Sequence, residues 1–334
     1  MLPAELVKSA SDVRLSHDRA HLRFWSKSTW TSLFEHEQVG VKDCHACFKY
    51  VICVVQIGRP VLRQMLLDSL QQETVRWDHQ LTSVEPLSSG GHMLNFKNGR
   101  SMAADIVIGA DGGRSKVREM LTSAKPSYQG VASVETYIAD VDRSHPKAAR
   151  TVGRGSFLAF ADNKGFIAQR QANGAIRVYV AFRVKEDGFA DLGITFDNGT
   201  NTCAALVASF DGWTAEITNL LHACDNTFRV WQCYSLPIGL SWQSQAALTL
   251  LGDAAHLSSP FGGDGANLAL QDAAELALAL VNTSQASDAI AAYEANMRAR
   301  AERAAQQSAD GLKMFLSPDG SRQFARFLQQ AKGN

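Results

Sequence analysis

Long apolar runs are missing from this chain. The longest, Tyr50-Val51-Ile52-Cys53-Val54-Val55, has the length of a strand, far short of the roughly 18–20 residues a membrane span needs. An excess of charge of either sign is missing too. The 33 basic and 33 acidic residues leave a formal net charge of zero. No Lys/Arg cluster forms a stripe, which argues against a nucleic-acid partner. Cysteine is sparse: six thiols in 334 residues build no dense disulfide framework, so a reduced, cytoplasmic setting is expected. The pair Cys44-x-x-Cys47 has no second CxxC and no His pair at finger spacing, and is read as two plain thiols with no metal. The start, Met1-Leu2-Pro3-Ala4-Glu5-Leu6, carries no basic segment followed by an apolar core, so no signal peptide is expected. The sequons at Asn198 and Asn282 are therefore read as coincidental. Tandem repeats and low-complexity tracts are absent as well.

What remains is an ordinary globular composition, 46% apolar and 20% charged, in a chain long enough for two domains or one domain with an inserted layer. Leu62, Leu66 and Leu70 recur at four-residue spacing after Pro60, which predicts an amphipathic helix with proline near its start. A short strand, Leu81–Glu85, and a hairpin from His92 to Arg100 follow. Ala104-Asp105-Ile106-Val107-Ile108 reads as a buried strand. Between about 127 and 235 alternating segments recur (Val134–Val141, Ser156–Phe160, Gly165–Arg170, Ala175–Val184), broken by turn signals such as Asn173-Gly174. They predict an inserted antiparallel sheet, with a helix over Asp211–Leu221. Ala246–Leu251 is again strand-like, Gly265 opens a strongly apolar helix, and 286–315 reads as another helix with charges on one face.

Two glycine–acidic stretches about 140 residues apart each follow a strand and lead towards a helix, the local geometry that aims backbone N–H groups at an anion. In the first, Asp111 ends a strand, Gly112 and Gly113 permit positive φ and close approach, and Ser115 is a candidate N-cap. In the second, Gly252 admits a ligand to the backbone, and Asp253 offers a carboxylate to sugar or ribityl hydroxyls. Gly262, Gly263 and Gly265 then open a helix whose positive dipole end suits charge on a ring carbonyl. Two such turns suggest a large phosphate-bearing cofactor gripped at two points.

These residues resemble the flavin-dependent aromatic-hydroxylase family typified by para-hydroxybenzoate hydroxylase. The run Asp111-Gly112-Gly113-Arg114-Ser115-Lys116-Val117-Arg118 matches its Asp-Gly-x-x-Ser-x-x-Arg motif. Gly252-Asp253-Ala254-Ala255-His256, with Pro260 and Gly263-Asp264-Gly265-Ala266-Asn267, matches its second motif. Arg59-Pro60-Val61-Leu62 matches its Arg-x-x-Leu helix start. The likeness spans about residues 57–317 and is, among members, most like the tetracycline-inactivating monooxygenases. It implies FAD as cofactor, with Arg59 on the adenosine side, and Asp111, Gly112 and Arg118 serving the pyrophosphate and the nicotinamide nucleotide. Gly252 and Asp253 would hold the ribityl chain; Pro260, Gly263, Gly265, Ala266 and Asn267 would line the ring. The implied fold is mixed α/β, an incomplete Rossmann-like FAD-binding domain of the glutathione-reductase type. Its expected parts are an atypical segment 1–56, the FAD-binding parts 57–126 and 236–285, a substrate-binding sheet domain 127–235, and C-terminal helices over 286–334.

The implied reaction uses NADPH or NADH to reduce the flavin, and a flavin hydroperoxide then hydroxylates a small aromatic or polyketide-like substrate. Substrate and O2 are the expected partners, the expected assembly is a monomer, and no side chain is assigned a catalytic role. His256 is read as structural, and Asp264, where glutamine is usual, as facing away from the ring. The substrate is expected between the sheet and the flavin, with Gln169, Arg170, Phe182 and Pro237 as candidate walls. Ile138 and Ser156 stand where the tetracycline enzymes carry Gln and Arg, so tetracycline is not the expected substrate. One family feature is absent: no Gly-x-Gly-x-x-Gly follows any strand. That predicts an unfilled layer beside the parallel sheet and weak FAD binding by a truncated member. A flavin-free binding protein and an FAD-dependent reductase of the same fold are the alternatives.

Overall fold

A computed structural model describes residues 50–52 and 57–332, and the side chains of 57–326. Along the chain, strand β1 (Tyr50–Ile52) precedes helix α1 (Arg59–Asp68), which has Pro60 in its first turn as expected. Strands β2 (Leu81–Pro86), β3 (His92–Phe96) and β4 (Ser101–Ala104) form a three-stranded antiparallel meander, the expected short strand paired with the expected hairpin. Strand β5 (Val107–Gly109) then leads into the first glycine turn.

The inserted antiparallel sheet is present. It contains β6 (Ser127–Ile138), β7 (Ser156–Ala161), β8 (Lys164–Arg170), β9 (Ile176–Arg183) and β10 (Arg229–Ser235), in the order β1-β7-β8-β9-β6-β10. Strand β6 starts seven residues before the expected Val134. Its polar opening Ser127-Tyr128-Gln129 lacks an apolar alternation, but pairs with the end of β10 through Ser127↔Ser235 and Tyr128↔Tyr234. Four helices lie within the insert: α2 (Val141–Ser144), α3 (Pro146–Val152), α4 (Gly199–Ala208) and α5 (Ala215–His222). The helix expected over 211–221 thus starts at Ala215, and α4 comes as an addition. Asn198 starts α4 by accepting the N–H groups of Thr200 and Asn201, the N-cap geometry that asparagine favours.

Period-two alternation gives this sheet two distinct faces. Val134, Ile138, Phe166, Val178, Val180 and Phe182 point to one side and are packed under Val152, Leu206, Ile217 and Leu220 of α3–α5. Strand β11 (Leu248–Leu250) pairs with β5 in parallel, Leu248 opposite Val107. It precedes α6 (Asp253–His256), α7 (Gly265–Asn282), α8 (Ala286–Phe315) and α9 (Gly320–Lys332). On the second sheet face Val131, Phe160 and Ala181 meet Leu312, Leu316 and Phe324 of the C-terminal helices, while Tyr137 and Trp231 further along stay exposed.

The parallel pair corrects one expectation. Val107 is buried but Ile106 and Ile108 are exposed, 38% and 40%, so the segment 104–108 is covered on one side only. Parallel strands normally have both faces covered. Helix α7 shows the same asymmetry. Leu276 is buried, whereas Leu270, Leu278 and Val281 on its other side are 42%, 61% and 74% exposed. A helix that is apolar all round is usually enclosed; this one leaves a stripe open.

The two sides of α7 respond differently to substitution. Leu276→Ala lowers stability by about 3 kcal/mol, as for a filled core site, whereas Leu278→Glu stays within about 0.5 kcal/mol of the parent. Urea unfolding followed by circular dichroism checks both; equal losses would contradict the one-sided burial.

Candidate flavin site

The two glycine turns are brought into contact. Leu251 donates its N–H to the Gly109 carbonyl at 3.0 Å, continuing the β5–β11 ladder into the turns. In the first turn Asp111 Oδ2 accepts the N–H groups of Lys116 (2.7 Å) and Val117 (3.4 Å). Ser115 Oγ accepts the N–H of Arg118 at 2.9 Å. Sequence reading expected Ser115 as the cap; both side chains share that work, and the helix is a single 3-10 turn, Arg118–Met120. Gly112 adopts φ +79° with open space where a Cβ would stand.

Arg118 is buried, 3% exposed. It donates through Nη2 to the Gly113 carbonyl (2.7 Å), through Nη1 to the Ala254 carbonyl (2.9 Å), and through Nε to Ala124 (3.4 Å). Burial pulls its pKa below the ordinary value, with the charges of Asp111 and Glu119 opposing. The guanidinium is a strap between the two turns rather than an exposed anion ligand. Gly113 completes the junction, since a Cβ there would come within 2.7 Å of Leu257 Cδ2.

The second turn is organised by a residue that sequence reading missed. Asp272 of α7 is fully buried. Its Oδ2 accepts the Gly252 N–H at 2.9 Å and His256 Nε2 at 2.6 Å, and its Oδ1 accepts Arg300 Nη2 of α8 at 2.8 Å. Burial pushes the carboxyl up, but the hydrogen bonds from His256, Arg300 and Gly252 outweigh it and hold it below the usual carboxylate range. His256 is structural, as read from its place in the motif. Gly252 sits at φ +59°, and a Cβ there would stand 3.0 Å from Ala269 Cβ. Asp253 remains exposed at the first position of α6.

Pro260–Gly262 form a 3-10 turn ending at Gly263, φ +78°. Helix α8 braces it: Ser259 and Ser308 exchange hydroxyl–carbonyl hydrogen bonds of 3.1 and 2.7 Å. A Cβ on Gly311 would lie 2.7 Å from the Phe261 carbonyl. Beyond the turn, Gly265, Ala266 and Asn267 begin α7. No heavy atom lies within 4 Å of a Cβ built on Gly112, Gly263 or Gly265, so the backbone at all three is open to a ligand. Asp264 makes no side-chain cap, and burial pushes its carboxyl up. Arg59 lies at the exposed start of α1, with its charge felt by Tyr179 of β9.

The candidate wall residues separate by strand alternation. Gln169 lies on the face opposite the helical core, in register with Ser156. Phe182 and Ile138 belong to that core, and Arg170 pairs with Asp142. Pro237 is exposed in the segment after β10, beside a small cleft shared with His256 and Arg298. The open face instead carries Glu135, Arg177, Tyr179 and Trp231, which sequence reading did not single out. The segment 1–49, with Cys44 and Cys47, lies outside the described residues. Among the described residues no cluster of metal-ligating groups occurs, and no helix is long and apolar enough to cross a membrane.

Comparison with known proteins shows the family of the chain. A family model described as FAD binding domain matches residues 50–308. Monooxygenase asqM of Emericella nidulans is 27% identical over 336 aligned positions, covering 82% of this chain and 76% of that protein. Among solved structures, HpxO of Klebsiella pneumoniae complexed with FAD and uric acid superposes with a TM-score of 0.68. That match has 19% identity and covers 83% of this chain and 68% of HpxO. The tetracycline destructase Tet(51) gives 0.58 at 19% identity, covering 85% and 75%.

The Asp272 hub yields a prediction with a defined sign. Asp272→Asn destabilises the chain by about 3 kcal/mol near neutral pH, the scale for breaking a buried ion pair. Because the folded pKa is depressed, this contribution is complete above the ordinary carboxylate value of about 4. It fades as pH falls through the folded value. Parent and variant unfolding curves should therefore converge in acid; a constant gap would refute the assignment.

Proposed function

The chain belongs to the FAD-binding domain family, and from that premise we propose that it is an FAD-dependent monooxygenase acting on a small aromatic or polyketide-like molecule. The observation that carries this reading is the open backbone at Gly263 and Gly265 where α7 begins, beside a Gly252 turn held by Asp272 and a Pro260 turn braced by Ser308. When bound, the flavin accepts electrons from NADPH or NADH and supplies the oxygen chemistry.

The chain's own residues bind and orient. Asp253 offers an exposed carboxylate to cofactor hydroxyls, and Gly252, its N–H held by Asp272, shapes the turn that presents it. Pro260 and Gly263 line the ring, and the N-terminal amides of α7 at Gly265, Ala266 and Asn267 present a positive dipole end to its negative charge. In the first turn Asp111 and Gly112 face the pyrophosphate side, and Arg59 stands on the adenosine side. Arg118 contributes by holding the turns together, which supports a positioning role rather than direct contact. The second face of the antiparallel sheet supplies the substrate wall and excludes water from the ring. O2 is the co-substrate, the expected assembly is a cytoplasmic monomer, and no nucleic-acid partner is expected.

Titration with FAD followed by flavin absorbance and emission tests the site. Saturable binding is expected, and Asp253→Ala should weaken it about tenfold or more, the cost of losing hydrogen bonds to a charged group. Saturable binding with oxygen-independent consumption of the nicotinamide would favour a reductase of the same fold. No binding at any FAD concentration would overturn the reading.

A further inference from the structure

The open sheet face holds a buried carboxylate whose partners are all side chains. Glu135 has a side-chain exposure of 2%. It accepts the Tyr137 hydroxyl at 2.7 Å, and it also accepts the Arg177 guanidinium and the Trp231 indole N–H. Three strands contribute, because Glu135 of β6 sits opposite Tyr179 of β9 on one side and Arg229 of β10 on the other. Burial pushes the carboxyl up, but the hydrogen bonds from Tyr137, Trp231 and Arg177 outweigh it and keep it ionised.

The consequence falls on Arg177. Its guanidinium carbon lies 4.8 Å from the Tyr179 ring centroid and 5.8 Å from that of Tyr137. Its side chain is 31% exposed. Left alone, such a cation among aromatic rings would attract a carboxylate or phenolate. Here Glu135 cancels the charge at contact distance. The other cations near the wall, Arg59 and Arg229, are exposed; Arg229 stands over the Trp231 ring at 5.6 Å, but in contact with water, whose high dielectric weakens its pull on a ligand.

We propose that Glu135 is a specificity-determining residue of the substrate wall: by neutralising Arg177 and fixing Trp231 it makes the wall a stacking surface for an uncharged planar aromatic ligand and disfavours aromatic acids. The proposal rests on the flavin-site reading only in calling that ligand the substrate. Glu135 acts through Arg177 and Trp231 and is a positioning residue.

Two probes of equal shape and different charge test this, 2-naphthamide and 2-naphthoate. Their affinities for the full chain are measured by calorimetry at physiological ionic strength. The parent is expected to bind the amide more tightly. Glu135→Gln, close in size but uncharged, should shift the amide-to-acid preference towards the acid by about tenfold or more, as unmasking one nearby charge predicts. Parent binding of neither probe, or a parent preference for naphthoate, overturns the proposal. So does an unchanged preference in a folded Glu135→Gln variant. Should that variant not fold, Glu135→Gln combined with Arg177→Met removes both charges. It is expected to retain the amide preference, and a preference for naphthoate there would also overturn the proposal. The FAD titration is read separately, by flavin absorbance. Amide preference without flavin binding would leave the wall assignment standing and remove the flavin reading.

Discussion

One buried carboxylate ties the candidate flavin site together. Asp272 lies on α7, yet its three hydrogen-bond donors come from the Gly252 turn, from α6 and from α8. A charge excluded from water must be matched at short range. The second glycine turn therefore cannot move relative to either helix without exposing that cost. The turn is held in place by what stands behind it.

Helix α8 extends the same logic across the molecule. Its fully buried Glu294 accepts Trp242 Nε1 and Thr249 Oγ1, each at 2.8 Å, and Arg298 at 2.8 Å. Tyr293 donates to the Leu250 carbonyl at 3.0 Å. One turn and a half further on, Arg300 reaches Asp272, then Ser308 and Gly311 support the Pro260 turn, and Leu312 enters the core of the second sheet face. One helix thus braces the parallel strands, the second glycine turn and the antiparallel sheet. Small changes along it should be felt at the site through packing. Glu135 plays a similar part within the sheet, joining three strands on the face that the C-terminal helices leave open.

The local signals in the sequence were strong where a side chain or glycine acts on its own neighbours. Pro60 at the start of α1, the α8 span 286–315 and the antiparallel insert were all legible from proline geometry and periodicity. So were the two glycine turns. Strand boundaries were less so. The polar start of β6 pairs only because β10 lies beside it, and the segment 104–108 reads as buried although one side of β5 is exposed. The structure separates the candidate wall residues by sheet face. Gln169 shares the open face, but Phe182 differs from it in parity within the sheet, and that parity depends on register.

The sequence by itself determined the two glycine turns and the family, because glycine, proline and N-capping residues act through backbone geometry over a few positions. Only the tertiary structure decided that Arg118 is a strap, that Asp272 is the hub, and that Glu135 pairs with Arg177. These roles depend on which distant donor meets which buried acceptor. Hydrogen bonds and desolvation act over a few ångströms in space, and spacing along the chain carries no record of partners 16 to 136 residues away.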